Sequence, residues 1–173
     1  WVQGIFLEDP PLYITQSDRL PATYFYGYFV VLRDFLRQHH ARGGTLDDVV
    51  AFVGQLPASA TQNMLELAGA TKVRTRSIEL QNIDPAILDP TIAGILLGDL
   101  VPDDLLARVR CPLHLLAADV ATGGAMDAQD VARFVAHAPA CTHTVLPATG
   151  HGIHEERPTV YVEALQAFTA SAR

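Results

Sequence analysis

One histidine of this sequence has surroundings typical of a general base. His151 lies between Gly150 and Gly152, shortly after an apolar segment that predicts a strand. Glycines on both sides allow a loop to bend sharply, so that an imidazole can lie over the end of a sheet. An imidazole placed there can exchange protons near neutral pH, whereas the alternative is an ordinary histidine in a surface turn. We favour the general base.

Two acids could serve such a histidine. A histidine base needs a carboxylate on its far ring nitrogen, which fixes the tautomer and stabilises the imidazolium. Asp9 follows the first predicted strand and Asp119 follows a later one. Each could instead be a turn former, since Asp9 precedes two prolines and Asp119 precedes a pair of glycines. The residues alone leave both open.

Metal and cysteine chemistry are not indicated. His151 and His154, with Glu155, could suggest a metal site, but a loop with so few ligands lacks the third and fourth partners that zinc or iron requires. Cys111 and Cys141 are more typical of packing residues than of nucleophiles or a disulfide framework. We therefore predict no metal and no cofactor.

The composition indicates a globular protein and excludes two classes of partner. Of the 173 residues, 49% are hydrophobic and 18% are charged, which is enough apolar surface for a sizeable core. A net charge of −7 without a basic run argues against nucleic acid and against an anionic membrane as partners. The apolar stretches are far too short to cross a bilayer. With only two cysteines, we expect a cytoplasmic protein.

The apolar pattern predicts a strand, then helices, then strands and helices in alternation. The first strand runs from Val2 to Glu8 and is ended by two prolines. Five helices follow: one from about Phe25 to Ala41, then Thr45 to Val53, Ser59 to Leu67, Pro85 to Leu97 and Pro102 to Val109. Two strands and two helices complete the chain: 113–118, 127–137, 142–146 and 158–172. This alternation predicts an α/β fold with a parallel sheet and crossover helices.

The segment from Arg110 onwards resembles the closing third of α/β-hydrolases. It has a strand, an acidic turn, a helix, a strand that leads to Gly150-His151-Gly152, and a final helix after Pro158. The segment 4–11 resembles the strand after which these enzymes insert a cap. The resemblance implies the C-terminal part of an α/β-hydrolase sheet with an inserted helical cap. Its domains would be a core strand (1–13), a cap (14–105) and a C-terminal core with the histidine loop (106–173).

The resemblance assigns His151 as the general base and leaves the nucleophile outside this chain. None of the serines (Ser17, Ser59, Ser77, Ser171) lies in a Gly-x-Ser-x-Gly elbow. Triad members of this fold follow the order nucleophile, acid, histidine, so we expect the nucleophile in an N-terminal half that is a separate chain or a missing segment. Ala121 occupies the usual position of the acid. Some family members place it where Asp9 lies, and we therefore prefer Asp9 to Asp119.

The resemblance implies a hydrolase that acts on a carboxylic ester or lactone without a cofactor. Its substrate would be an apolar small molecule, and Tyr13 and Ile153 are our predictions for substrate-binding residues. Haloalkane cleavage, C–C hydrolysis and epoxide opening use the same scaffold. The alternative is a non-catalytic binding protein of the same fold, in which His151 only hydrogen-bonds a small ligand.

Overall fold

Three parallel strands form the sheet of this protein. The structure is a computed structural model that describes residues 2–57 and 63–171. The strands are β1 (Ile5–Glu8), β2 (Leu113–Ala117) and β3 (Cys141–Val145), in the order β1-β2-β3. Ile5 pairs with Leu113, and Leu113 pairs with Cys141. The sheet therefore brings the first residues of the chain beside two strands from its last third.

Helices make up most of the remaining described residues. The α-helices are α1 (Tyr24–Ala41), α2 (Leu46–Gln55), α3 (Met64–Leu80), α4 (Asp89–Ile92), α5 (Pro102–Leu106), α6 (Ala128–His137), α7 (Ile153–Glu156) and α8 (Pro158–Ser171). Short 3-10 helices cover Leu20–Ala22, Pro85–Leu88 and Val120–Thr122. None of the helices in residues 2–57 and 63–171 combines the length and the apolar character needed to cross a membrane.

The chain divides into two compact units. One unit contains the sheet and comprises the chain up to Gln16 together with Leu97–Arg173, and the other is the helical segment Ser17–Leu96. The helical unit is inserted in the sequence between β1 and β2. This architecture confirms the predicted fold class. The domain limits at residues 13 and 105 stay predictions, and residues 97–105 cluster with the sheet.

The sheet buries apolar residues on both faces, as a parallel sheet between helices does. Consecutive residues of a strand point to opposite faces. On one face Leu113 and Leu115 belong to a buried cluster with Phe134 of α6. On the other face Leu116 packs with Ile153, and Phe6 and Tyr161 lie against them. Every position of β2 except His114 is buried, which explains why its other residues are all apolar.

Polar side chains fix the starts of three helices. Thr45 and Asp48 form a capping box at α2, in which each side chain bonds the other residue's backbone N–H. The same reciprocal arrangement occurs at α3, between Asn63 and Glu66, and at α6, between Asp127 and Asp130. Satisfying these otherwise unpaired amides explains why the helices begin where they do.

Two predicted helices differ from the structure. The helix predicted over Ser59 to Leu67 begins outside the described residues, and the observed α3 continues to Leu80 across a kink at Gly69, where φ is 79°. Burial of residues such as Val73 and Leu80 holds this second half. In place of the helix predicted over 85–97, the structure has the 3-10 helix Pro85–Leu88 followed by α4. The chain then leaves the helical conformation at Gly94, where φ is 69°.

Candidate active site

The carboxyl ends of the parallel strands meet at one edge of the sheet, and the predicted site lies there. Asp9 directly follows β1, and its backbone N–H donates to the carbonyl of Leu116 in β2. His151 lies on the loop between β3 and α7. Nδ1 of His151 lies 2.8 Å from Oδ2 of Asp9. Residues that are 142 positions apart in the sequence thus form a direct hydrogen bond.

Asp9 is a fully buried carboxylate with three donors. Its side chain has 0% exposure. Oδ1 accepts from the backbone N–H of Ala118 at 3.1 Å, and Oδ2 accepts from that of Ala125 at 2.7 Å as well as from His151. A buried carboxylate is tolerated when its oxygens are satisfied in this way. The donors also fix the direction in which Asp9 presents Oδ2.

The backbone of Asp9 adopts a strained conformation. Its φ is 38°, in the left-handed region that few residues other than glycine enter. Aspartate tolerates this region better than most side chains do. Such strain persists only where the surroundings hold it, and it is concentrated at functional sites. At Asp9 the amides of Ala118 and Ala125 hold the carboxylate in place.

The loop that carries His151 is anchored on both sides. Before it, the N–H of Gly150 donates to Oε2 of Glu156 at 2.9 Å. A Cβ added at Gly150 would lie 2.6 Å from Oε1 of Glu156 and 2.9 Å from the carbonyl oxygen of Thr122, so only glycine fits there. After it, Ile153 is completely buried. The loop therefore has little freedom to move the imidazole.

His151 is half exposed, and Asp9 changes its acidity. The side chain has 50% exposure. The hydrogen bond that Nδ1 donates to Asp9 is the largest influence and raises the pKa of His151 above its ordinary value. Burial opposes this rise, and the negative charges of Asp9 and Glu8 add to it. Because the Asp9 carboxylate accepts from Nδ1, the proton of the neutral ring lies on Nδ1. Nε2 is then the nitrogen with a free electron pair.

Asp119, the alternative acid, has other partners. Oδ1 accepts from the backbone N–H of Ala121 at 2.9 Å, and Oδ2 accepts from that of Ala148 at 2.9 Å. These two bonds, the one to Ala148 first, lower the pKa of Asp119. The side chain thus ties the end of β2 to the loop after β3, while Asp9 contacts the imidazole.

The structure places both predicted substrate-binding residues in the core. Tyr13 has 0% exposure, and its hydroxyl donates to Oδ1 of Asp103 at 2.9 Å. Its ring lies 4.6 Å from the guanidinium carbon of Arg133, which itself bonds Asp103. Ile153 also has 0% exposure. Both side chains have a packing role here, and contact with a substrate stays a prediction.

A second carboxylate–histidine pair lies beside the first and was missed by the sequence reasoning. Oε1 of Glu8 lies 2.8 Å from Nδ1 of His154 and also accepts from the backbone N–H of His154 at 2.9 Å. The only sequence signal was position: Glu8 is two residues after Phe6, on the same strand face, and α8 packs on that face through Tyr161.

A separate groove lies between α6 and β3. It has a volume of about 740 Å³, and its lining includes Met126, Val131, His143, Val145 and Asp119. Neither His151 nor Asp9 lines it. In residues 2–57 and 63–171, no group of histidine, cysteine and acidic side chains is arranged to hold a metal ion.

Comparison with known proteins gives matches to solved structures only. No protein-family model and no curated protein matches the sequence. A crystal structure of an N-formylmaleamic acid deformylase from Pseudomonas putida S16 matches with a TM-score of 0.59 and 17% identity over 94% of this chain and 56% of that one. A proline iminopeptidase from Mycobacterium smegmatis matches with a TM-score of 0.52 and 18% identity over 98% of this chain and 57% of that one. This chain therefore spans a little over half the length of either enzyme.

Proposed function

We propose that this chain supplies the base and the acid of a nucleophile–histidine–acid hydrolase. The matches show its fold to be that of the C-terminal part of an α/β-hydrolase. The observation that carries the proposal is the 2.8 Å contact between His151 Nδ1 and the buried Asp9 carboxylate. It lies at the carboxyl edge of a parallel sheet, where α/β folds place their ligands.

In the proposed mechanism His151 transfers the proton and Asp9 orients His151. Nε2 of His151 accepts the proton of the nucleophile as the nucleophile attacks an acyl carbon. The imidazolium that forms is stabilised by the Asp9 carboxylate, which stays ionised. Nε2 then gives the proton to the leaving group. In the second half Nε2 takes a proton from water as the water oxygen attacks the acyl carbon, the bond to the nucleophile breaks, and the proton returns to the nucleophile as the acid is released.

We propose that the nucleophile and the oxyanion hole come from outside this chain. Within the described residues β1 hydrogen-bonds to β2 alone, so its other edge is available to a further strand. A strand added there would extend the parallel sheet and place a residue at its carboxyl end close to Asp9. The partner is an N-terminal hydrolase half, present as a separate polypeptide or as the preceding part of a longer chain.

We propose a carboxylic ester or lactone of an apolar small molecule as the substrate. The two enzymes compared above are a deformylase and an iminopeptidase, so hydrolysis is the common element. Hydrolysis at an acyl carbon passes through a tetrahedral intermediate, which a histidine base and a positioned carboxylate can support. Ester and lactone carbonyls are hydrolysed more readily than amides, because an alkoxide leaves more readily than an amide nitrogen does.

The test is covalent labelling with a fluorophosphonate probe, which reacts with activated serine nucleophiles. The protein is isolated under native conditions with any associated polypeptide, whose presence an intact-mass measurement establishes. We expect one labelled serine outside the 173 residues, and we expect His151→Ala to abolish the labelling. His143→Ala is the matched control, since His143 lines the separate groove, and it should leave labelling unchanged.

Two outcomes would count against the proposal. Absence of labelling, together with no hydrolysis of simple aryl esters, would favour the non-catalytic binding protein. Labelling that survives His151→Ala at an undiminished rate would remove His151 from the mechanism.

A further inference from the structure

Glu8 and His154 form a second carboxylate–histidine pair, and the role inferred for it rests on the proposed function. Glu8 is the last residue of β1, and His154 is the second residue of α7. Oε1 of Glu8 accepts both from the backbone N–H of His154, at 2.9 Å, and from its Nδ1, at 2.8 Å. Oε2 also lies 3.0 Å from the same Nδ1. One carboxylate thus binds both the backbone and the side chain of a single residue.

The position of this pair connects it to His151. Asp9 binds the imidazole of His151 directly, while Glu8, one residue earlier, binds the chain three residues beyond that imidazole. The strand end therefore holds the histidine loop at two points. Ile153, which lies between them, is completely buried. A short loop fixed at two points and packed between them has a defined position relative to β1.

The surroundings of Glu8 favour a specific contact over a solvent-exposed ion pair. The Glu8 side chain has only 18% exposure, whereas that of His154 has 56%. The His154 ring also makes an edge contact with Tyr161 of α8, with ring centroids 5.9 Å apart. Exposed ion pairs contribute little because two long side chains must be ordered. Here the bond to the His154 backbone already orders the Glu8 carboxylate, and the contact with Tyr161 already orders the His154 ring.

We propose that Glu8 is a positioning residue: by binding His154 it holds the histidine loop so that Nδ1 of His151 stays on Asp9 and Nε2 faces the reacting atoms. Glu8 itself touches neither substrate nor nucleophile. A base held close to its productive geometry gives a much faster reaction than one that moves. A misplacement of 1 Å can reduce the rate on the order of 100-fold.

The test uses NMR of the protein with labelled histidine, so its readout does not require a nucleophile. The observables are the low-field Nδ1 proton of His151, which reports the bond to Asp9, and the midpoint of its imidazole titration. In Glu8→Ala we expect the Nδ1 proton signal to broaden or vanish and the titration midpoint to fall by roughly 0.2–0.7 pH unit, the size expected for loss of one partly screened charge contact.

Three further variants separate positioning from charge and from unfolding. His154→Ala removes the side-chain half of the contact and leaves the carboxylate and the bond to the backbone N–H in place, so it should broaden the His151 signal less than Glu8→Ala does. Glu8→Gln keeps an oxygen that can accept from the His154 backbone and should give an intermediate result, which serves if Glu8→Ala does not fold. Glu163→Gln removes one charge from an exposed position of α8 and should change neither observable.

Two results would overturn the inference. In a folded Glu8→Ala protein, an unchanged His151 signal and midpoint would show that Asp9 alone positions the ring. A His151 Nδ1 signal that broadens as much in Glu8→Gln as in Glu8→Ala, and not at all in His154→Ala, would show that Glu8 acts by its charge and not by holding the loop. Because these spectra do not depend on labelling or hydrolysis, failure of the inference is distinguishable from failure of the proposed function.

Discussion

Replacing Asp9 by asparagine removes one charge from the centre of the site with little change in shape. The carboxylate accepts from the backbone N–H groups of Ala118 and Ala125 and from Nδ1 of His151. An asparagine has one oxygen, so its NH2 group must face at least one backbone N–H. A buried donor left without an acceptor costs about 1–3 kcal/mol. We therefore expect Asp9→Asn to lower the free energy of unfolding by about 1–3 kcal/mol in chemical denaturation.

The same change should alter the titration of His151. In the native protein the pKa of His151 is raised, first by the hydrogen bond that its Nδ1 donates to Asp9. A raised folded-state pKa adds stability that is fully present below about pH 6.5, the ordinary imidazole value, and that is lost as the pH rises through the folded value. In Asp9→Asn the pKa should fall, and this part of the pH dependence should disappear. The stability that the raised pKa of His151 adds to the native protein is modest, because the side chain is half exposed to solvent.

The assay is a pair of measurements on each variant: denaturation at several pH values and an NMR titration of labelled histidine. Asp119→Asn is the matched control, because Asp119 also follows a strand and also binds two backbone amides. It should leave the titration of His151 unchanged. The reasoning is refuted if Asp9→Asn leaves the pKa of His151 where it was, or if Asp119→Asn lowers it by as much.

Two further substitutions test the supports of the site. Gly150→Ala should destabilise the protein by about 1–3 kcal/mol and broaden the His151 signals, since the new methyl group meets the Thr122 carbonyl; unchanged thermal stability would contradict this. Tyr13→Phe should cost about 1–2 kcal/mol by removing the bond to Asp103. The bond from Arg133 lowers the pKa of Asp103 most, and the bond from Tyr13 lowers it further. The loss of stability should therefore be largest where Asp103 is ionised and should shrink as the pH falls through its pKa. A loss that does not vary with pH would contradict the second part.

Parallel pairing explains why the sequence sufficed to bring Asp9 near His151. Residues that follow parallel strands lie at the same edge of the sheet, whatever their distance in the sequence. The sequence predicts strands over 2–8, 113–118 and 142–146. Asp9 and His151 follow the first and the last of them and are therefore expected at that edge. Resemblance to the family supplied the preference for Asp9 over Asp119. The roles of both residues in catalysis stay predictions.

Other features depend on packing that no local pattern displays. Tyr13 follows two prolines and a leucine, a position that is compatible with a pocket. Only the folded structure shows that it has 0% exposure and that it contacts Asp103 and Arg133. Helix α3 continues past Gly69 because distant apolar residues cover Val73 and Leu80. The Glu8–His154 contact likewise joins residues 146 positions apart and has no periodic signal.

The pairing of β1 with β2 has a consequence for how the protein is made. Ile5 lies opposite Leu113, and Asp9 meets a histidine encoded 142 positions later. Translation must reach Leu113 before β1 can pair with β2, and it must reach His151 before the dyad can form. Until then the edge of β1 that pairs with β2 lacks its partner, and an apolar strand edge of this kind can associate wrongly in incomplete chains. Folding dominated by such distant contacts is slow. The helical segment Ser17–Leu96, whose contacts are more local, is synthesised before β2. It can therefore fold before the strands of the sheet pair.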